Sequence, residues 1–236
     1  MNIGTVVEGP TDRLILESVL THLLPGEHRF FPLQPTETLG RTGSGWKGVR
    51  RWCNETWQRE HSTLETILSS ATGPALDLLV IHVDADIASE QDLQQDSAFP
   101  ITPQPCPPVS ATVAQIEALI LHWLSLDMSL SSLIFAIPAQ DTETWTFAAL
   151  FPDDELCSRK DYECMHDGKD HPGYLLTLKA YGKLLRRSTG TIKKSRWQYE
   201  KVCPRIVAAW DRVRTLCSQA EKFSIEVLDY KESLYD

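Results

Sequence analysis

The sequence predicts an α/β fold, a four-stranded parallel sheet between helices followed by a mainly helical C-terminal extension. Three observations predict it. Short apolar, β-branched runs recur at the start of the chain, at 77–83 and at 133–137, and helical periods separate them. The later two runs are apolar throughout rather than alternating, as in strands buried on both faces. Two of the runs end abruptly in acids, Val6-Val7-Glu8-Gly9-Pro10-Thr11-Asp12 and Ile81-His82-Val83-Asp84-Ala85-Asp86. In a parallel sheet such ends line one common edge. The division expected along the chain is a catalytic domain over 1–150 and a helical extension over 151–236 packed on it.

The elements follow in order. Residues 2–7 end in Thr5-Val6-Val7, a short buried strand, and Gly9-Pro10 turns the chain. Thr11 is a candidate helix cap and Asp12 suits the first turn, where a negative charge meets the positive end of the helix dipole. Leu14, Ile15, Val19, Leu20, Leu23 and Leu24 give one apolar face, and Pro25-Gly26 stops the helix. Phe30-Phe31-Pro32-Leu33 is the second strand. The stretch 40–48 holds four glycines and reads as a turned connector. It lacks the GK[ST] ending of a P-loop. A second reading makes it a substrate-facing loop in which Arg41 and Lys47 meet phosphate. A helix from about Trp46 to Leu68 follows, with Val49, Trp52, Cys53, Trp57, Leu64 and Ile67 as its apolar face. After the strand at 77–83, the polar, proline-bearing segment 88–109 reads as a long surface loop. Ser110 and Thr112 open a helix to about Leu126, and 133–137 is the fourth strand. Asp141-Thr142-Glu143-Thr144-Trp145 then adds a carboxylate pair at the same edge. From 152 to His171 the chain is polar. Helices are expected over 173–186 and 195–220, and 223–228 is either a terminal strand or a helical continuation. His82 reads as a core histidine, and the tryptophans read as core residues.

Composition narrows the class. A net charge of −9 argues against coating nucleic acid through bulk electrostatics, yet it is compatible with a nuclease. The cations do cluster, at Arg41, Lys47, Arg50 and Arg51, at Lys179, Lys183, Arg186 and Arg187, and at Lys193, Lys194 and Arg196. No apolar stretch reaches the roughly 18 residues of a membrane span. The opening Met1-Asn2-Ile3-Gly4 lacks the features of a signal peptide, so the expected location is cytoplasmic. The six cysteines are scattered with no CxxC pair, and no disulfide framework is expected. Cys157, Cys164, His166 and His171 fit no standard zinc spacing.

Several carboxylates at one strand edge repel one another unless a cation joins them, and hard divalent ions take oxygen ligands of this kind. The expected cofactor is therefore Mg2+ or Mn2+. The residues also point to a family. Val7-Glu8-Gly9-Pro10-Thr11-Asp12 resembles the first motif of the Toprim domain, and Asp84-Ala85-Asp86 after an apolar strand resembles the second. Ile137-Pro138 with Asp141 to Trp145 is similar to the third acidic segment of small standalone Toprim proteins, as are Tyr181-Gly182-Lys183 and Cys203-Pro204. The resemblance covers about 1–150. It implies a Mg2+-dependent nuclease similar to the overcoming-lysogenization-defect enzymes, whose relatives often stand beside ATPases of defence systems. An effector of anti-phage defence with an ATPase partner and a DNA or RNA substrate follows as the expectation.

By the same resemblance Glu8 and Asp84 would bind the metal. Asp86 would share it or orient its waters, and Glu143 or Asp141 would complete a second site. Asp12 is a ligand or only a first-turn helix charge. Lys183, or another cation of the second half, would neutralise the scissile phosphate. Ile87-Ala88-Ser89-Glu90 departs from the family pattern after the DxD pair, so one metal and two both stay open. The chain has neither a tyrosine-bearing breakage domain nor a zinc ribbon, so a complete topoisomerase or primase is not expected. Two rivals remain: a regulatory or binding subunit that keeps the fold without turnover, and a metal-dependent hydrolase or transferase of nucleotides. Self-association is left open.

Overall fold

A computed structural model describes residues 1–35, 43, 45–58, 68, 75–165, 171–178, 184–188 and 191–234. Strands β1 (Asn2–Val6), β2 (Arg29–Gln34), β3 (Leu78–His82) and β4 (Leu133–Ala136) form one all-parallel sheet in the order β2-β1-β3-β4. The fold class is the one the sequence predicts. Alternate residues of β3 feed two cores, because successive side chains of a strand point to opposite faces. Leu78 and Val80 pack with α1 (Pro10–Leu23) and with residues of the helix that follows β4. Leu79 and Ile81 pack with α2 (Trp46–Gln58), α3 (Gln91–Gln94) and α4 (Ser110–Trp123). Among the described residues no helix is long and apolar enough to cross a membrane.

Helix α5 (Thr142–Leu150) follows β4, and α6 (Pro172–Leu178) comes later. Strands β5 (Leu185–Ser188) and β6 (Thr191–Lys194) pair antiparallel in a separate two-stranded sheet. The chain ends in α7 (Arg196–Ala208), α8 (Trp210–Leu216) and α9 (Ser218–Ser233). Tyr199, Val202, Ile206, Trp210, Val213, Phe223 and Val227 join the core on the α1 side of the sheet. Trp145 of α5 meets Trp210 edge to face at 5.5 Å, a favoured aromatic geometry.

Several expectations are corrected. Of the helix expected over 173–186, Pro172–Leu178 is helical, residues 179–183 lie outside the described residues, and Leu185–Ser188 is a strand. The register Ser188↔Thr191 leaves a two-residue Thr-Gly connection, which is hairpin chemistry. The charged residues around it hide that signal. The span 195–220 holds two helices and the start of a third, and 223–228 is helical. Helix α1 starts at Pro10, with Gly9 at the cap position and no side-chain cap, so Thr11 is not the cap. Part of the segment 88–109 is structured: a 3-10 turn (Ala85–Ser89) and α3 lead it, and Leu93, Ile101 and Val109 are buried beneath it. Cys106 and Cys164 form a disulfide across 58 residues, which removes Cys164 from any metal set with Cys157. The side chains of Trp57, Leu64 and Ile67 lie outside the described residues.

Candidate functional site

The chain leaves β1 for β2 on one side and β3 for β4 on the other, so the loops after β1 and β3 diverge. Clefts of α/β sheets form at such switch points. Glu8 stands two residues beyond β1 and Asp84 two residues beyond β3. They meet: the Asp84 backbone N–H donates to Glu8 Oε1 at 2.8 Å. A cavity of about 470 Å³ opens there, with Glu8, Asp12, Gly45, Asp84, Lys194 and Arg196 among its walls. Two glycines make the approach feasible. A Cβ on Gly9 would stand 2.8 Å from Asp12 Oδ2, which no ordinary contact allows. Gly45 has φ +72° and donates its N–H to the Glu8 carbonyl at 3.0 Å.

Behind the cavity the acids are knitted together. Lys194 Nζ lies 3.1 Å from Asp12 Oδ1 and 2.9 Å from Glu143 Oε1. The Tyr199 hydroxyl donates to Glu143 Oε1 at 2.7 Å. The Thr142 hydroxyl stands 2.9 Å from Asp12 Oδ1, 3.3 Å from His82 Nε2 and 3.5 Å from Asp84 Oδ1. It has one proton to give, and the shortest contact assigns it to Asp12. His82 Nε2 then faces Asp84 Oδ1 at 3.2 Å, while its Nδ1 is buried with no hydrogen-bond partner among the described residues. Asp141 caps α5, accepting from the Thr144 N–H at 3.1 Å, and His171 Nε2 lies 3.6 Å from its other oxygen.

Charge crowding leaves its mark on the titrating groups. Burial, then Asp84, pushes the Glu8 carboxyl up to about 8. Burial and Asp84 also raise Asp141 to about 7. Burial, then Asp84 and Glu90, raises Asp86 to about 7. Glu143 rises to about 7, since burial outweighs what Lys194 offsets. Asp12 moves the other way. Burial alone would raise it, but Lys194, His82 and the Thr142 hydroxyl hold it below the usual carboxylate value. Burial would lower His82, yet Asp84 and then Asp12 and Glu8 lift it to about 9. Burial would likewise lower the Lys194 ammonium, and Asp12 and Glu143 hold it well above normal.

Of the residues expected at the site, Glu8, Asp12, Asp84 and Glu143 come together around Thr142 and Lys194. Asp141 is beside them but engaged in capping. Asp86 sits at the exposed rim, its backbone N–H donating to the Gln140 carbonyl at 3.3 Å. Lys47 is exposed and pairs with Asp92 at 2.6 Å rather than lining the cavity. Arg41 and Lys183 lie outside the described residues. His82 and Tyr199 are participants that the sequence does not single out, whereas Lys194 belongs to a cation cluster that it does mark, without its pairing to Asp12 and Glu143.

The donors on the cavity wall are carboxylate oxygens, the chemistry that hard divalent ions prefer. Among the described residues no three or more His, Cys, Asp or Glu side chains are already arranged to hold a metal. In this arrangement Lys194 and His82 supply the positive charge. The fold and site together define an α/β protein with an acidic cleft at the switch point of a parallel sheet. No family model, curated protein or solved structure matches the chain.

Proposed function

We propose that the chain is a Mg2+- or Mn2+-dependent nuclease with a Toprim-like site, hydrolysing phosphodiester bonds of DNA or RNA. We propose further that it is the effector of an anti-phage defence system and works with an ATPase partner. One observation carries the catalytic reading: Glu8 and Asp84, 76 residues apart, are hydrogen-bonded at the β1/β3 switch point and open with Asp12 onto one cavity. Glu8, Asp12 and Asp84 would hold the cation, and Asp141, engaged at the α5 cap, would not be needed for a single ion. When bound, a divalent cation activates water and offsets charge on the phosphoryl oxygens. The chain's own residues do the rest. The Thr142 hydroxyl and His82 orient Asp12 and Asp84. Lys194 and Arg196 bring positive charge to the cavity wall, where a phosphate would approach. The net charge of −9 supports a partner that helps to hold the nucleic acid.

One observation favours a second reading, a regulatory subunit that keeps the fold without turnover. The Lys194 ammonium already bridges Asp12 and Glu143, as an internal cation would. Cleavage of a panel of DNA and RNA with Mg2+ or Mn2+ separates the two readings when wild type is compared with Glu8→Ala and Asp84→Ala. The nuclease reading expects cleavage by wild type that both substitutions abolish. Equal cleavage by all three rejects the site. Cleavage by none, with the partner present, favours the regulatory reading.

A further inference from the structure

One aromatic side chain departs from the pattern of the others. Among the described tryptophans Trp46, Trp123, Trp145 and Trp210 are buried and Trp52 is half-buried, whereas Trp197 is 59% exposed. It stands in the first turn of α7, three residues beyond Lys194 and next to Arg196, both on the cavity wall. Three residues span at most about 11 Å, so the indole is rooted beside the acidic cleft. The Lys201 ammonium lies 3.3 Å from the centre of its ring, a cation–π contact that steadies the indole while most of it stays in solvent. Lys193 is exposed on β6, and Arg186 stands opposite it in the β5–β6 register. Arg196 directs its Nε to Glu200 at 3.1 Å, which uses one of the five guanidinium donors.

An exposed indole flanked by cations is what an unpaired base and its phosphates recognise. The ring stacks on the base, and the ammonium and guanidinium groups meet the backbone. A duplex keeps its base faces stacked and offers no such surface. A membrane surface would call for further apolar side chains around the indole. Among the described residues the other large exposed hydrophobics, Met128, Ile225 and Leu234, belong to other segments of the chain.

We propose that the β6–α7 junction is a platform for single-stranded nucleic acid. Trp197 stacks one unpaired base, and Lys193, Arg196 and Lys201 flank the adjoining phosphates. The platform deepens the nuclease reading and rests on it for its role, which is to lead a single strand into the cleft.

The test is binding of the full chain to a labelled oligothymidylate and to its duplex with oligoadenylate, in EDTA so that no turnover intervenes. Wild type is expected to prefer the single strand, and Trp197→Ala to weaken that binding about tenfold. Trp197→Phe is expected to restore most of it, with an unchanged melting temperature in both variants. Binding should weaken with salt, as contacts to phosphate require. Alanine-variant binding equal to wild type, a preference for duplex, or binding only to anionic vesicles or acidic peptides overturns the platform. A parallel cleavage assay keeps the two claims apart. Cleavage that needs Glu8 and Asp84 while Trp197→Ala binds normally sinks the platform alone. Trp197-dependent strand binding without cleavage, with the partner present, sinks the nuclease reading alone.

Discussion

Glu8 and Asp12 stand four residues apart where β1 passes into α1, yet their carboxyls are driven in opposite directions. Asp12 faces Lys194, His82 and the Thr142 hydroxyl and stays charged. Glu8 is buried beside Asp84 and is pushed up to about 8. Burial alone would raise both and His82 pulls both down, so the difference is Lys194, which pairs with Asp12, against Asp84, which crowds Glu8. The cleft thus has a neutralised half, closed by Lys194, and a more acidic half in which His82 is outweighed by burial and by Asp84. The acidic half is where a divalent ion would gain most.

The largest expected effect breaks the neutralised half. Lys194→Met leaves Asp12 and Glu143 facing each other without their cation, and breaking a buried pair costs several kcal/mol. The Lys194 side chain is 30% exposed, so a smaller loss, roughly 2–3 kcal/mol near pH 8, is expected by urea unfolding. The loss should shrink in mild acid as Glu143 takes up a proton. Unchanged stability at both pH values would show that Lys194 does not balance these acids.

The next effect sharpens the acidic half. With its carboxyl raised from 4.5 to about 8, folded Glu8 keeps a proton that the unfolded chain has lost. His82, raised from 6.5 to about 9, does the same over a higher window. In both cases the folded state binds more protons, so the stability of the metal-free chain is expected to fall as pH rises from about 5 to 9. Mg2+ should oppose this loss, raising the melting temperature more at about pH 8.5 than at about 5.5, since ligands must shed protons to bind. A flat profile, or an equal Mg2+ effect at both pH values, contradicts the contrast between the halves.

The smallest effect probes the link between Tyr199 and Glu143. Tyr199→Phe removes the hydrogen bond at 2.7 Å and is expected to cost about 1 kcal/mol of stability. Glu143 should also become harder to ionise, which NMR titration of its carboxyl carbon would read. An unmoved titration would mean that the hydroxyl does not support the Glu143 charge.

The sheet and the acidic edge were legible because both depend on local pattern. Leu78 to Ile81 is apolar whichever face it meets, and a carboxylate directly after such a strand has one edge to occupy. The cations were legible as clusters, but their partners were not. Lys194 meets Asp12 across 182 residues of sequence, through a hairpin whose strands carry Arg and Lys and so lack an apolar signature. A Thr-Gly pair ahead of β-branched Thr191-Ile192 was the available signal. His82 was rightly placed in a buried strand, but only the fold shows that its imidazole turns to Asp84 rather than to apolar neighbours. Lys47 illustrates the reverse case, since nothing local revealed that Asp92 would engage it.

The most direct measurement is Mn2+ binding followed by electron paramagnetic resonance in wild type, Glu8→Gln, Asp84→Asn and Lys47→Ala. Saturable binding is expected in wild type and in Lys47→Ala, with strong weakening in the two cleft variants. Equal binding by all four proteins, or none by wild type, would contradict a cation site between Glu8, Asp12 and Asp84.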